Sequence, residues 1–210
     1  KFRDGDGLKF AAQLSRSQQL LFITSEGRSF SLSLDQLKKD KGYGEPLNLM
    51  IGTGNVASIV SLLPYYHERK GLIFSKKGLG FTVAFHSLLS STKTGKKIFE
   101  LSEDDEVVGL QEIKGDKVIV LSTFFKMLIF SIKELPVLKK GKGVRLQRYK
   151  GEALLDIMIF SQNEKNDLII KKLFSKNEDI RHWMGKRGNI GKIMPKKLLR
   201  KKITKFEDLL

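Results

Sequence analysis

The chain contains no cysteine among its 210 residues, and it has only four prolines, three histidines and one tryptophan. The absence of cysteine excludes a disulfide-stapled secreted module, and it also excludes thiolate metal sites and cysteine nucleophiles. No apolar run approaches the roughly 20 residues of a transmembrane helix, and no signal-peptide pattern marks the N-terminus. The length suffices for a substantial core, so we expect a folded cytoplasmic protein with no membrane partner.

Acidic residues are scarce relative to basic ones, 23 against 39, which gives a formal net charge of +16. The excess is uneven, because residues 1–105 carry a net charge of +4 and residues 106–210 a net charge of +12. The basic residues cluster at 139–150 and 186–205, both of which are rich in glycine. Such clusters indicate a polyanionic partner, most often nucleic acid. The alternative is a solvated surface that keeps the protein soluble.

Motifs for catalysis are also missing from the sequence. No GxxxxGK[ST] phosphate loop is present, and the three histidines lack the spacing of metal ligands. The run DGDG at 4–7 resembles the start of a calcium loop but lacks its closing acidic residue. The run EDDE at 103–106 could bind a divalent ion, but we interpret it as a solvated loop. We therefore predict no catalytic site and no metal site in this chain.

A pattern of apolar runs and turns recurs along the chain at intervals of about 50 residues. Gly27 follows an apolar run at 20–23, precedes a phenylalanine by three residues and precedes a leucine by ten. The same arrangement is found again around Gly78, and then around Phe125, which takes the place of glycine and is followed three residues later by Leu128 instead of a phenylalanine. Each copy then reaches a glycine-rich stretch, and a degraded fourth copy begins at 168–170. Shared internal offsets of this kind indicate a repeat architecture.

Each repeat has the pattern strand–turn–strand. After the turn at 25–28, Phe30, Leu32 and Leu34 alternate with serines, as expected for a half-buried strand. A further strand is predicted to close each unit, at 57–63, 107–113 and 154–160. Helix signals are limited to short turns at 35–39, 87–91 and 133–135. The pattern therefore predicts an all-β fold.

Three to four strands in each unit of about 50 residues are typical of one blade of a propeller-like array. No linker divides the chain, so we expect a single domain over 1–210. The predicted repeats run roughly over 7–63, 70–113, 117–160 and 167–194, followed by a basic tail at 195–210. A β-sandwich with accidental internal similarity is the alternative.

Five sequence blocks carry a resemblance to a known family: SEGRSF (25–30), GYGEPL (42–47), KGLGF (77–81), LPVLKKGKG (135–143) and GKRGNIG (185–191). In this order and spacing the chain resembles the C-terminal domain of the A subunit of bacterial topoisomerase IV (ParC), in the gyrase A and ParC family. The resemblance implies a β-pinwheel, a disc of about four to five four-stranded blades that exchange strands. It also implies a basic rim that bends duplex DNA and presents it to a type IIA topoisomerase core for decatenation and supercoil relaxation.

The resemblance implies that the chemistry lies outside this domain. In the family the strand-cutting tyrosine lies in the N-terminal region of the A subunit, whereas the ATPase lies on the B subunit. We therefore expect no cofactor in this domain, whereas the whole enzyme uses ATP and Mg²⁺. The implied partners are double-stranded DNA, the B subunit through the N-terminal region, and a second A subunit in a homodimer. The isolated domain is expected to be monomeric, in the bacterial cytoplasm with the nucleoid.

One departure separates the two branches of the family. Gyrase A domains carry a box of the form QRRGGKG, which is tied to DNA wrapping with a fixed hand. The closest segment here has Gly185 in place of the glutamine, Asn189 in place of the second glycine and Ile190 in place of the last basic residue. The missing box favours a topoisomerase IV domain over the gyrase alternative. A propeller-like protein-interaction platform is the alternative from another functional class.

The candidate DNA-binding residues are basic side chains in the turns and loops that a pinwheel places at its edge. We expect their contacts to be with phosphates, with little base reading. The predicted set is Arg28, Lys76, Lys77, Lys96, Lys97, Lys139, Lys140, Lys142, Arg145, Arg148, Lys186, Arg187 and Lys192.

Overall fold

Twelve β-strands dominate the described part of the computed structural model of the chain. The structure describes residues 5, 7–15, 17–37, 45–47, 50, 58–151, 153–161, 173–174, 178–201 and 205–206. The strands are β1 (Gln19–Thr24), β2 (Arg28–Ser33), β3 (Ile59–Pro64), β4 (Lys70–Ser75), β5 (Leu79–Ala84), β6 (Lys96–Lys97), β7 (Val107–Glu112), β8 (Lys117–Ser122), β9 (Lys126–Ser131), β10 (Val144–Arg145), β11 (Leu154–Phe160) and β12 (Lys192–Ile193). A short helix, α1 (Lys196–Arg200), follows the last strand. Single 3₁₀ turns lie at Leu34–Gln36, Phe85–Leu88, Ile132–Glu134 and Ile180–Trp183.

The strands form three four-stranded antiparallel sheets, ordered β3-β1-β2-β6, β10-β5-β4-β7 and β11-β8-β9-β12. Each sheet contains one hairpin and the strand that closes its repeat. Its fourth strand comes from farther along the chain: β6 follows β5 in sequence yet pairs with β2, with Ser29 opposite Lys96. In the same way β10 follows β9 and pairs with β5. This strand exchange confirms the predicted all-β pinwheel class.

The hairpin turns confirm that Phe125 takes the place of a glycine. Gly27 and Gly78 have φ of 75° and 76°, and Phe125 has φ of 57°. A left-handed conformation costs a residue with a side chain about 1–2 kcal/mol. The Phe125 ring offsets part of that cost because it packs against the apolar cluster of the third sheet. A tight turn at this position is therefore a property of the repeat and not of glycine alone.

The three sheets stack face to face, with apolar layers between them. In β4, Leu72 and Phe74 pack into the layer shared with β8 and β9, whereas Ile73 packs into the layer shared with β1. Successive residues of a strand point to opposite faces, so the middle sheet is buried on both sides. A two-layer sandwich leaves one face of each sheet outside, and this structure is therefore not the β-sandwich alternative.

Residues beyond the sheets cover the two ends of the stack. Leu14, Leu34 and Leu37 pack on the free face of the first sheet. Trp183, Leu198 and Phe206 pack on the free face of the third sheet, where Leu198 is fully buried and Phe206 is 3% exposed. Part of the predicted basic tail is thus a helix that contributes to the core. None of the described helices is long and apolar enough to cross a membrane.

The predicted strands agree with the observed ones to within about two residues. The closing strand at 154–160 matches β11, and those at 57–63 and 107–113 correspond to β3 and β7. The predicted helical turns are 3₁₀ turns that begin one or two residues earlier. The strand at 168–170 and the glycine-rich stretch at 42–44 lie outside the described residues, so a fourth or fifth blade stays a prediction.

Candidate nucleic-acid interface

The sheet order gives every sheet an inner and an outer edge. The strands β3, β7 and β11 together line an open channel of about 730 Å³, to which they contribute Ser61, Gly109 and Ile157. These strands stand at one end of the three sheet orders, and β6, β10 and β12 stand at the other. The two-residue strands β6, β10 and β12 are therefore the outer strands of the stack.

The outer strands carry four basic side chains, Lys96, Lys97, Arg145 and Lys192, and all four are exposed. Their registers coincide: Lys96 lies opposite Ser29, Val144 opposite Gly80 and Lys192 opposite Met127, in each case two residues after the hairpin-turn residue. Each outer strand thus presents at least one basic side chain at the outer edge, although Val144 and Ile193 occupy one of the two corresponding positions in the second and third sheets.

A glycine precedes each outer strand. Gly95, Gly143 and Gly191 are evenly spaced along the chain, with φ of 69°, 73° and 81°. A Cβ atom on any of them would lie 2.6–2.8 Å from a carbonyl oxygen of the facing strand. Only glycine allows the chain to enter the outer edge so closely and with this backbone conformation. The glycines beside the basic clusters are therefore required by strand exchange.

The lysines of the β4–β5 turn already have intramolecular partners. The Nζ atom of Lys76 lies 2.9 Å from Oε1 of Glu106, and this hydrogen bond and charge raise the pKa of Lys76 above its ordinary value. The backbone N–H of Lys77 donates to Oδ1 of Asp105 at 2.9 Å, and its Nζ donates to the carbonyl oxygen of Glu103.

The loop before β10 presents three exposed lysines, Lys139, Lys140 and Lys142. The Nζ of Lys140 lies 3.3 Å from Oε1 of Glu100. Within the part of the chain that the structure describes, the side chains of Lys139 and Lys142 contact no carboxylate. These two lysines and Arg145 form the group that is best placed to meet an external anion.

Two predicted arginines tie neighbouring segments together. The Nη1 of Arg28 donates to the carbonyl oxygen of Thr94 at 2.9 Å, which holds β2 beside the entry to β6. The Nη1 of Arg187 donates to the carbonyl oxygen of Arg145 at 2.6 Å, and its Nε donates to that of Glu134 at 3.1 Å. Both guanidinium groups therefore shape the outer edge, and each lies only partly exposed.

The segment 185–191, which stands where gyrase A domains have their box, packs beside the third sheet. Gly185 N–H donates to the carbonyl oxygen of Ile129 at 2.9 Å, and Arg148 N–H donates to that of Asn189 at 3.0 Å. An open cleft of about 360 Å³ beside this segment is lined in part by Arg148, His182 and Lys192. Arg148 and Lys186 are exposed, so this end of the molecule adds further positive charge to the outer edge.

Two features of this surface were missed by sequence reasoning. Lys126 directly follows the turn residue Phe125, as Arg28 follows Gly27, and its Nζ lies 6.0 Å from the Phe124 ring centroid. Extending the repeat alignment by one position would have found it. The run at 103–106, interpreted as a solvated loop, and Glu100 before it contact predicted cations. These contacts join residues far apart in the chain, and no local pattern indicates them.

Strand-exchanged sheets in a propeller-like stack with a basic outer edge define the class of this domain. The family described as "DNA gyrase C-terminal domain, beta-propeller" matches residues 18–43, 72–114 and 116–162, which is more than half of the chain. The chain belongs to this family, and the resemblance read from its sequence blocks is confirmed.

Known relatives point to one branch of the family. The chain is 34% identical over 195 residues to the A subunit of DNA topoisomerase 4 from Rickettsia conorii, a match covering 93% of the chain and 26% of that protein. It thus spans about a quarter of the length of the curated relatives it matches. The C-terminal domain of E. coli ParC has a similar structure, with a TM-score of 0.78 at 23% identity over 93% of this chain and 84% of that one. A gyrase A C-terminal domain has a TM-score of 0.60 at 17% identity over 85% and 60%.

Proposed function

We propose that this chain is the non-catalytic DNA-binding and DNA-bending domain of a topoisomerase IV A subunit. In this proposal duplex DNA runs along the outer strands, and the domain presents it to the catalytic core of a type IIA topoisomerase for decatenation and supercoil relaxation. The observation that carries the proposal is the repeated placement of Lys96, Lys97, Arg145 and Lys192 on the outer strands of consecutive sheets.

The cations on this edge provide phosphate contacts that can offset the cost of bending a duplex. Bending a site of 20–30 base pairs costs about 1–6 kcal/mol, which several phosphate contacts must offset. Six of the predicted cations are exposed and have side chains with neither an ion pair nor a hydrogen bond in the described part of the chain: Lys97, Lys139, Lys142, Arg145, Arg148 and Lys186. If all six meet phosphates, log K falls with log salt at a slope of about −5.

The chemistry of the whole enzyme belongs to other regions. The relatives are about four times as long as the matched domain, and we place strand cleavage, ATP hydrolysis, Mg²⁺ binding and the contacts with the second A subunit or the B subunit outside it. We also place the protein in the bacterial cytoplasm with the nucleoid. Purified alone, the domain should neither relax nor cleave plasmid DNA.

A salt titration with matched charge variants tests the proposal. The variant Lys142→Gln with Arg145→Gln removes two unpaired cations from the outer edge, and Lys114→Gln with Lys133→Gln removes two exposed lysines that lie off the outer strands. The first pair should weaken binding to unrelated duplexes alike and reduce the slope by about 2. The second pair should leave the slope nearly unchanged. Binding without salt dependence, or equal losses in both variants, would contradict the proposal.

A topology assay separates bending from gyrase-like wrapping. The domain is bound to nicked circular DNA, the nick is sealed, and the change in linking number is measured. We expect little change, because Asn189 and Ile190 replace box residues of gyrase A and the Ile190 carbonyl oxygen already accepts a hydrogen bond from Gln147 Nε2 at 2.6 Å. A large positive change would instead indicate wrapping. No DNA binding at low salt, with recovery of an acidic protein, would favour the interaction-platform alternative.

A further inference from the structure

The connection between β6 and β7 is the most acidic stretch of the chain. Residues 100–106 have the sequence ELSEDDE, in which five of seven side chains are carboxylates. This acidic connection does not extend freely into solvent. It lies against cations of the β4–β5 turn and of the loop before β10, and Lys76 of that turn shares a cleft with Arg145 of the outer strand β10.

Three of the predicted DNA-binding lysines find their partners in the acidic connection. Glu106 pairs with Lys76 at 2.9 Å, and Glu100 pairs with Lys140 at 3.3 Å. Asp105 Oδ1 accepts the backbone N–H of Lys77 at 2.9 Å. Lys76 lies in the β4–β5 turn and Lys140 in the loop before β10, so one segment neutralises cations that come from two different loops.

The carboxylate at 106 is not required by the fold of the repeat. The backbone N–H of Lys76 donates to the carbonyl oxygen of Glu106, and the corresponding donors of the other two sheets, Ser25 and Thr123, bond to the carbonyl oxygens of Ser58 and Ala153. Serine and alanine therefore support the same backbone contact. The Glu106 side chain contributes its charge and not a necessary structural contact.

The acidic connection is kept in its place at a cost in stability. Asp105 Oδ2 is buried and has no hydrogen-bond partner among the described residues, and Asp104 has φ of 58°. A buried unsatisfied acceptor is unfavourable, whereas aspartate is among the residues that adopt the left-handed conformation most readily. The other carboxylate oxygen of Asp105, Oδ1, accepts the backbone N–H groups of Lys77 and Glu106, so this side chain holds the end of the connection against the β4–β5 turn.

A cleft beside the acidic connection brings together cations that could bind either a carboxylate or a DNA phosphate. Lys76, Lys77 and Arg145 line an open cleft of about 430 Å³, together with Asp104 and Tyr149. A carboxylate and a DNA phosphate are both oxyanions and accept hydrogen bonds from the same ammonium groups. The hydrogen bond and the negative charge of Glu106 also stabilise the charged form of Lys76 and so raise its pKa.

We propose that the acidic connection 100–106 is an intramolecular competitor of DNA phosphate at the second sheet. This inference rests on the proposed function. The duplex must displace the Glu100 and Glu106 carboxylates before Lys140 and Lys76 can bind phosphate, so the connection limits the affinity of the domain and favours release of the bound duplex. Wild-type binding then involves fewer phosphates than the number of exposed cations suggests.

Two double variants with the same charge change test the inference. Glu100→Gln with Glu106→Gln releases Lys140, in the loop before β10, and Lys76, which shares a cleft with Arg145. The control, Glu68→Gln with Glu112→Gln, releases Arg69 and Lys114, which pair with Glu112 at 2.6 Å and 3.4 Å at the end of the inner strand β7. An exposed ion pair is worth a factor of at most about five in an equilibrium constant. We therefore expect the first variant to bind a random-sequence duplex about three- to twentyfold more tightly than the control does, with a salt slope steeper by about 2.

The outcomes separate this inference from the proposed function. Equal tightening in both double variants would show a general effect of net charge and would overturn the inference. Wild-type protein that binds DNA without salt dependence would instead refute the proposed function, and the inference with it. Glu106→Ala provides an independent check, because Ala153 occupies the corresponding position of the third sheet. If this folded variant also binds no more tightly than wild type, the inference is wrong.

Discussion

Replacing Gly78 by alanine tests the contact between the β4–β5 turn and the segment that follows β10. Gly78 has φ of +76°, and the Tyr149 ring lies directly over it. A Cβ atom at this position would come within 2.0 Å of Cε2 of Tyr149, which is far inside van der Waals contact. The substitution therefore adds a steric conflict between two segments to an unfavourable backbone conformation.

The two contributions can be worked out separately. The left-handed conformation costs an alanine about 1–2 kcal/mol. Displacing a packed ring to make room for an added methyl group costs about 1–3 kcal/mol more. We therefore expect Gly78→Ala to lower the free energy of unfolding by about 2–5 kcal/mol. Gly151→Ala supplies the control, because Gly151 has φ of +69° but a Cβ there would meet no atom within 4 Å, so only the backbone cost of about 1–2 kcal/mol applies.

Urea denaturation followed by far-ultraviolet circular dichroism measures both variants. The difference between them isolates the conflict with Tyr149 and should be about 1–3 kcal/mol. Combining Gly78→Ala with Tyr149→Ala should remove most of that difference, since the added methyl group then has room. Equal losses for Gly78→Ala and Gly151→Ala would refute the reasoning, because they would show that the Tyr149 ring does not require a residue without a side chain at position 78.

Two further predictions concern side chains that form hydrogen bonds outside the hairpins, Arg28 at the entry to β6 and Asp179 at the start of the turn Ile180–Trp183. Arg28→Lys keeps the charge but loses the guanidinium hydrogen bond to Thr94, so denaturation should show a loss of about 1 kcal/mol while the salt slope of DNA binding stays unchanged. Asp179 accepts hydrogen bonds from Arg181, which lower the pKa of its carboxyl below the ordinary value. Its contribution to stability is therefore present above about pH 4 and is lost as the pH falls through the lowered pKa. Asp179→Asn should flatten the decline of thermal stability below about pH 4, and an unchanged acid profile would contradict this.

The hairpins and closing strands could be predicted because their determinants are local. The alternation around Phe30 and the turn at Gly27 belong to one short window, and the same window recurs at Gly78 and Phe125. Each window alone is a weak indication of a hairpin, but its repetition makes the prediction firm. The turn position of Phe125 could therefore be predicted although a phenylalanine rarely adopts a left-handed conformation.

The outer strands could not be found from the pattern of residues. A strand of two residues has no periodicity, and Lys96–Lys97 finds its partner β2 in the preceding repeat, far earlier in the chain. The resemblance supplied the idea of exchanged strands, but only the register shows which basic residues stand on the outer edge. The counter-ions were missed for the same reason, since the pairing of Lys140 with Glu100 depends on how two distant loops meet.

The charge on the outer strands has two physical explanations, and its sign separates them. The edge of a sheet exposes unpaired backbone groups, and charged residues on short edge strands discourage pairing with another chain. Lysine is the residue most used for this purpose, although acidic residues are charged as well and could serve it. The ionisable residues of β6, β10 and β12 are nevertheless all basic, although acidic residues are common in the neighbouring connection 100–106. Edge protection accounts for the presence of charge on these strands, and an anionic partner accounts for its sign.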